Sequence, residues 1–274
     1  MDEYFETSDR VKLKTTVWKS GKQTLLFLHG WGGNQVSFTS TIEALKGDYT
    51  ILSFDQRGFG ESEKPDTTYS FERLAQDIHE VIEKQNLKDV VLVGWSMGGV
   101  AAAIYLDIYG KDRIAKLVLL DVNIRMMGDE NYPYGFYNGV CPEKELLRDL
   151  SLIARDFRLF AQELPERCDM RLFSPEQRAG FVERVVQQNQ KKYPLIAMWL
   201  ATADVDLSDI YKRLDLPVLF CHGGMSTFCP PKACDHVMGL LPRATLVEFP
   251  ECSHFIPIER PGQLAEAIDK FTIS

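Results

Sequence analysis

Val90-Val91-Leu92-Val93-Gly94-Trp95-Ser96-Met97-Gly98-Gly99-Val100 is an apolar, β-branched run that breaks at a glycine-bordered serine and resumes as an alanine-rich stretch. It reads as a strand, a sharp turn and the start of a helix. Small residues at Gly94 and Gly98 let the strand and helix pass close together and leave the Ser96 hydroxyl exposed at the tip. The pattern is G-x-S-x-G, a nucleophile elbow. The first N–H groups of the following helix face the reacting atom, so the Met97 N–H is placed to bind a developing oxyanion while the helix dipole favours negative charge there. A glycine-bordered turn with an incidental serine is the plainer alternative.

Working outward, further apolar runs too short for helices alternate with helical periods. Tyr4 to Thr7 and Val11 to Trp18 predict a hairpin at a sheet edge, turning at Ser8-Asp9. Thr24 to Leu28 lacks polar alternation, as expected of a strand buried on both faces, and ends in His29-Gly30-Trp31-Gly32-Gly33-Asn34. A helix over Val36 to Leu45, a strand over Thr50 to Phe54 and the irregular Asp55-Gln56-Arg57-Gly58-Phe59-Gly60-Glu61-Ser62 follow. Phe71 to Lys84 has the helical period with Ser70 as N-cap, and its His79 falls on the polar, solvated side. Beyond the elbow helix, Val100 to Tyr109, lies a strand over Lys116 to Val122 carrying Asp121. Strands alternating with helices imply an α/β fold: a mostly parallel sheet with right-handed crossovers, flanked by helices, with ligands at the carboxyl ends of the strands.

From Asn123 to about Leu214 the alternation stops. Helical periods at Glu145 to Phe160, Pro175 to Gln190 and about Leu195 to Ala203 predict a helical cap inserted between two core strands, giving a core of 1–122 and 215–274 and a cap of 123–214. Most of its large apolar residues (Met126, Met127, Phe136, Phe157, Phe160, Met170, Phe173, Met198 and Trp199) serve the cap core and its seam, and Trp199 is a candidate for the substrate pocket. The core resumes at Pro217 to Cys221, with a helix near Pro231 to Leu240, a strand over Ala244 to Phe249 and a helix from Pro261. Glu251-Cys252-Ser253-His254 lies between those last two elements.

The composition excludes several classes. Charged residues at 26% and hydrophobic residues at 45% are those of a globular protein, and a net charge of −8 argues against a nucleic-acid-binding face. No stretch has the character of a signal peptide or of a bilayer span, so a cytoplasmic protein is expected. Six cysteines, at 141, 168, 221, 229, 234 and 252, are too sparse for a disulfide scaffold. Cys221, His222, Cys229, Cys234 and His236 lie close in sequence but lack a paired zinc-ligand spacing, and read as buried or incidental residues.

A serine needs a histidine to take its proton and a carboxylate to orient that imidazole. His254, in a loop after the last strand, is the candidate base, whereas His29 and His222, each ending an apolar strand, read as satisfied core histidines. Here the chain resembles the α/β-hydrolase superfamily, specifically its small capped esterase, lactonase and haloperoxidase-like members. The resemblance is carried by H-G-W-G-G at 29–33, D-x-R-G-F-G-x-S at 55–62, G-W-S-M-G-G at 94–99 and S-H-F-I-P-I-E-R-P at 253–261. It implies Ser96 as nucleophile, His254 as base and the backbone N–H groups of Trp31 and Met97 as the oxyanion hole, with Arg57 structural. Trp31 and Trp95 flank those donors and narrow the pocket for a modest apolar acyl group.

The acid departs from the family pattern. Members commonly carry an aspartate in the loop after the strand equivalent to Pro217 to Cys221, where this chain has Ser226. A minority take the acid from the end of the preceding strand, and counting from Arg113 places Asp121 there. An incomplete triad, an altered one, or service by another carboxylate are the alternatives. The expectation is a serine hydrolase of a small-molecule carboxylic ester or lactone, working through an acyl-enzyme with neither metal nor organic cofactor. Cofactor-free haloperoxidase or perhydrolase activity, carbon–carbon bond hydrolysis, and a non-catalytic ligand receptor on the same fold are the competing readings.

Overall fold

Side-chain pattern sets which strands lie in the middle of the sheet. The computed structural model describes residues 2–21, 23–139 and 143–274, and Cys141 lies outside them. β1 (Asp2–Glu6) and β2 (Lys12–Trp18) form the expected antiparallel edge hairpin, with β2 pairing on to β4. β3 (Thr24–Leu28) is buried along its whole length. A 3₁₀ turn over Gln35–Phe38 leads into α1 (Thr39–Leu45). The single helix expected over 36–45 is thus split. Asn34 accepts from the Val36 N–H and starts the tighter turn, and the α-helix begins only after it.

β4 (Thr50–Phe54), α2 (Phe71–Lys84), β5 (Val90–Trp95), α3 (Met97–Tyr109) and β6 (Ile114–Leu120) complete the first half of the core. Ser70 caps α2 by accepting from the Arg73 N–H, as its position before the apolar period requires. Between β6 and β7 lie α4 (Glu143–Arg155), α5 (Phe157–Arg167), α6 (Pro175–Gln188), α7 (Tyr193–Ala203) and α8 (Ser208–Arg213). The period expected over 145–160 is two helices, because Asp156 turns out of the helix and caps α5 through the Leu159 N–H. β7 (Val218–Gly223), α9 (Pro231–Leu240), β8 (Ala244–Phe249), the short α10 (Ile256–Glu259) and α11 (Pro261–Ile273) close the chain.

The eight strands run β1-β2-β4-β3-β5-β6-β7-β8, parallel from β4 onward. The chain leaves β3 toward β4 and then crosses back over β3 to β5. Right-handed crossovers in opposite directions place their helices on opposite faces, so α1, joined by α11, covers one face while α2 and α3 cover the other. The reversal opens a crevice beyond the carboxyl ends of β3 and β5, where an open α/β sheet binds its ligand. The loop 29–33 and Ser96 sit at that crevice. Among the described residues no helix is long and apolar enough to cross a membrane.

Candidate active site

Ser96 has φ 51° and ψ −119°, outside both helical and strand regions, between the last residue of β5 and the first of α3. Such a conformation costs about 1–3 kcal/mol and persists only where the surroundings enforce it. Close packing enforces it here. A Cβ on Gly94 would lie 2.5 Å from the Gly99 Cα, and one on Gly98 would lie 2.3 Å from the Leu28 carbonyl oxygen. The second contact seats the start of α3 on the end of β3, directly beside the loop that carries Trp31. As the first residue of α3, Met97 has a backbone N–H with no acceptor within the helix.

His254 follows β8 and is buried with its Nδ1–H donating to Asp121 Oδ2 at 2.6 Å. Asp121 stands one residue beyond β6 with φ 53°, its own N–H still in the ladder on the Cys221 carbonyl at 2.8 Å. Its Oδ1 accepts from the Gly223 N–H at 3.1 Å, and its Oδ2 accepts also from the Ser226 hydroxyl at 2.5 Å. The carboxylate counted to the end of β6 therefore meets the histidine, and the residue expected in place of the usual aspartate touches that carboxylate. Trp95 donates through Nε1 to the His254 carbonyl at 2.9 Å, which ties the residue before the elbow to the histidine loop. The Phe228 ring stacks on the imidazole, with centroids 4.6 Å apart and planes at 29°.

Ser96, Met97 and His254 border one cavity of about 280 Å³ together with Trp31, Trp95 and Trp199. Trp31, Trp95, Phe136, Trp199 and Phe228 supply aromatic surface to its walls. Trp31 packs against Trp199 with centroids 4.8 Å apart and edge-on to Phe157 and Phe160, and its Nε1 donates to the Leu195 carbonyl at 3.0 Å. The loop after β3 is thereby fastened to the insertion between β6 and β7. Phe136 and Trp199 reach the cavity as residues of that insertion, whereas Met126, Met170 and Met198 are buried in the core. Arg184 and Gln188, one turn apart on α6, supply polar lining that the aromatic pattern of the sequence did not signal.

A family model described as the alpha/beta hydrolase fold matches residues 23–261. The chain belongs to the α/β hydrolase family. An AB hydrolase superfamily protein of Bacillus subtilis, YisY, is 26% identical over 277 residues, covering 100% of both chains. A pimeloyl-[acyl-carrier protein] methyl ester esterase of Vibrio cholerae is 26% identical over 234 residues, 85% of this chain and 87% of its own. Among solved structures, an esterase from Exiguobacterium antarcticum superposes over 100% of both chains with a TM-score of 0.89 at 25% identity.

His29 and Arg57 of this α/β hydrolase have structural partners. His29 donates from Nδ1 to the Gly30 carbonyl at 2.8 Å and accepts the Gln56 N–H on Nε2 at 2.9 Å. Complete burial holds its pKa below the usual 6.5, against the opposing charge of Asp55. Arg57 is wholly buried and forks onto Asp77 at 2.6 and 2.8 Å and onto Asp9 at 2.8 and 3.0 Å. His79, expected to be solvated, is half-buried and stacks on Tyr109 with centroids 4.1 Å apart. The tyrosines of α3 facing α2 provide that ring surface, which the period of α2 alone does not reveal.

Asp121, His222 and Cys229 bring potential ligand atoms within 4.8 Å of one another. His222 Nε2 meets the Cys229 carbonyl at 2.9 Å, Asp121 is engaged as above, and burial pushes the Cys229 thiol well above its ordinary value.

Proposed function

We propose that this chain is a serine hydrolase that cleaves a small carboxylic ester or lactone through an acyl-enzyme. The observation that carries the reading is the 2.6 Å hydrogen bond from His254 Nδ1 to Asp121 Oδ2, made at the cavity that Ser96 also borders. With Nδ1 committed to the carboxylate, Nε2 is the nitrogen left to exchange a proton with Ser96. That arrangement favours a catalytic chain over a receptor on the same fold.

In this mechanism His254 Nε2 takes the Ser96 proton as Oγ forms a bond to the carbonyl carbon. The oxyanion is held by the N–H groups of Trp31 and Met97, and Asp121 balances the imidazolium. The tetrahedral intermediate collapses, the carbon–oxygen bond to the leaving group breaks, and the leaving oxygen takes the proton from His254. Water, deprotonated by the same nitrogen, then attacks the acyl carbon; the bond to Ser96 Oγ breaks as Oγ takes the proton back from His254, and the acid is released. Trp31, Trp95 and Trp199 supply apolar surface for a modest acyl group. The insertion 123–214 acts as a cap over the core of 1–122 and 215–274, and decides which substrates enter. The free, buried thiols of the described cysteines are in keeping with a cytoplasmic setting.

The test is hydrolysis of short-chain p-nitrophenyl esters and simple lactones, alongside labelling by a fluorophosphonate. Turnover and one label per chain, on Ser96 and absent in Ser96→Ala, are expected. Folded protein that neither turns over these substrates nor takes the label overturns the reading. Running the ester assay with peroxide competing against water separates perhydrolysis from hydrolysis.

A further inference from the structure

We propose that Ser226 is a positioning residue for the acid, holding the Asp121 carboxylate in the orientation that meets His254. This rests on the triad reading above and adds a residue to it. Ser226 is 1% exposed, and its hydroxyl donates to Asp121 Oδ2, the same oxygen that accepts from His254 Nδ1. The direction of that hydroxyl is set by its surroundings. Its oxygen accepts the Phe228 N–H at 3.2 Å and the Cys229 N–H at 3.1 Å, which occupies its lone pairs and leaves its single proton for the carboxylate. The Ser226 N–H is itself tied to the Gly223 carbonyl at 2.8 Å, so the loop fixes the donor as a tight turn.

Asp121 needs such a partner. It stands beyond the regular part of β6 in a left-handed conformation, so the strand does not dictate where its side chain points. The Gly223 N–H anchors Oδ1, and Ser226 anchors Oδ2. Without Ser226 the carboxylate keeps the Gly223 N–H on Oδ1 and, on Oδ2, only the His254 Nδ1–H that it is there to orient, so its turn about the terminal bond is less firmly set. The same short segment carries Phe228, whose ring stacks on His254. One loop after β7 thus holds both the acid and the base, although it contributes neither.

Steady-state kinetics of Ser226→Ala and Ser226→Thr on a p-nitrophenyl ester, with proton NMR of the His254 Nδ1–H, test this. The low-field resonance is assigned by its loss in His254→Gln. Ser226→Ala is expected to lower kcat about tenfold, the scale of one hydrogen bond to a charged group, with KM changed by less than about twofold. Its Nδ1–H resonance moves, because Oδ2 has lost a competing donor. Ser226→Thr, which keeps the hydroxyl, recovers most of the rate. Where the alanine variant does not fold, Ser226→Cys, similar in volume but a weak donor, carries the same expectation. Wild-type kcat and an unmoved resonance in the alanine or cysteine variant overturn the proposal and leave the triad standing. Equal losses in the alanine and threonine variants also overturn it. An inactive, unlabelled wild type instead removes the functional reading beneath it.

Discussion

Two loops that follow parallel strands each carry a histidine, and the comparison between them separates structure from chemistry. After β3, His29 is completely enclosed, with a backbone carbonyl on Nδ1 and a backbone N–H on Nε2. Both nitrogens are spent, the tautomer is fixed, and burial favours the neutral ring. After β8, His254 spends only Nδ1, on a carboxylate, and borders a cavity shared with Ser96. On the proposed mechanism that difference is what makes His254 the base: a carboxylate rather than the backbone holds it, and one nitrogen is left for the substrate. The carboxylate nearest His29 in charge, Asp55, is occupied differently: it accepts the Gln35 N–H at 2.8 Å and the Glu61 N–H at 2.7 Å and organises the loop 55–62.

Substitutions at the two loops should diverge sharply. Ser96→Ala and His254→Gln are each expected to reduce kcat by about 10⁴-fold or more on any accepted ester with folding intact, as judged by turnover and circular dichroism. His29→Gln is expected to leave kcat within about threefold while lowering stability by roughly 1–3 kcal/mol, measured by denaturant unfolding, because it disturbs buried hydrogen bonds. A His29→Gln variant as inactive as His254→Gln would break the contrast.

Ser226→Asp gives a smaller loss. It sets two carboxylates against each other beside His254, and they must share a proton, so activity should fall by about tenfold or more at neutral pH. A rise in activity would instead mean that the aspartate usual after β7 is the one missing here.

The contrast also has a pH signature. His29 is neutral in the folded chain at pH values where the unfolded chain, with its ordinary pKa of 6.5, takes up a proton. The unfolded state then binds more protons, so stability from this group is present above pH 6.5 and is lost as pH falls below it, with a slope of up to about 1.4 kcal/mol per pH unit, until the folded ring protonates. Unfolding midpoints between pH 7.5 and 5 should fall less steeply in His29→Gln than in the wild type. Parallel slopes would contradict the burial argument. Among the residues around Ser96 and His254 the least loss is expected at Trp95→Phe, which removes the indole N–H on the His254 carbonyl: a few-fold loss of kcat, read by the same ester assay.

What the sequence made legible was local. The bounds of β3, β4, β8, α2 and α9 follow from apolar runs, a cap at Ser70 and a proline at the start of α9. Ser96 on the turn between β5 and α3 follows from glycine spacing, and Asp121 at the end of β6 from counting along one strand. Contacts between distant segments were not legible. The Ser226 hydroxyl reaches a residue 105 positions away, so an apparent vacancy in a family pattern was in fact a donor. The stacking of Phe228 on His254, the fastening of Trp31 to Leu195 and the burial of His79 against α3 are contacts of the same kind, set by packing and not by the period of any one element. The break at Asp156 was hidden because two successive helices carried one continuous apolar period.

The most direct test of the account is the turnover number of Asp121→Asn on an ester that the wild type hydrolyses, at saturating substrate. An asparagine keeps the size of the side chain but cannot balance the imidazolium, and it invites the wrong tautomer. A fall of about 10⁴-fold in kcat in a variant that is still folded by circular dichroism is expected. A variant that retains wild-type turnover would show that the carboxylate at the end of β6 is not the acid.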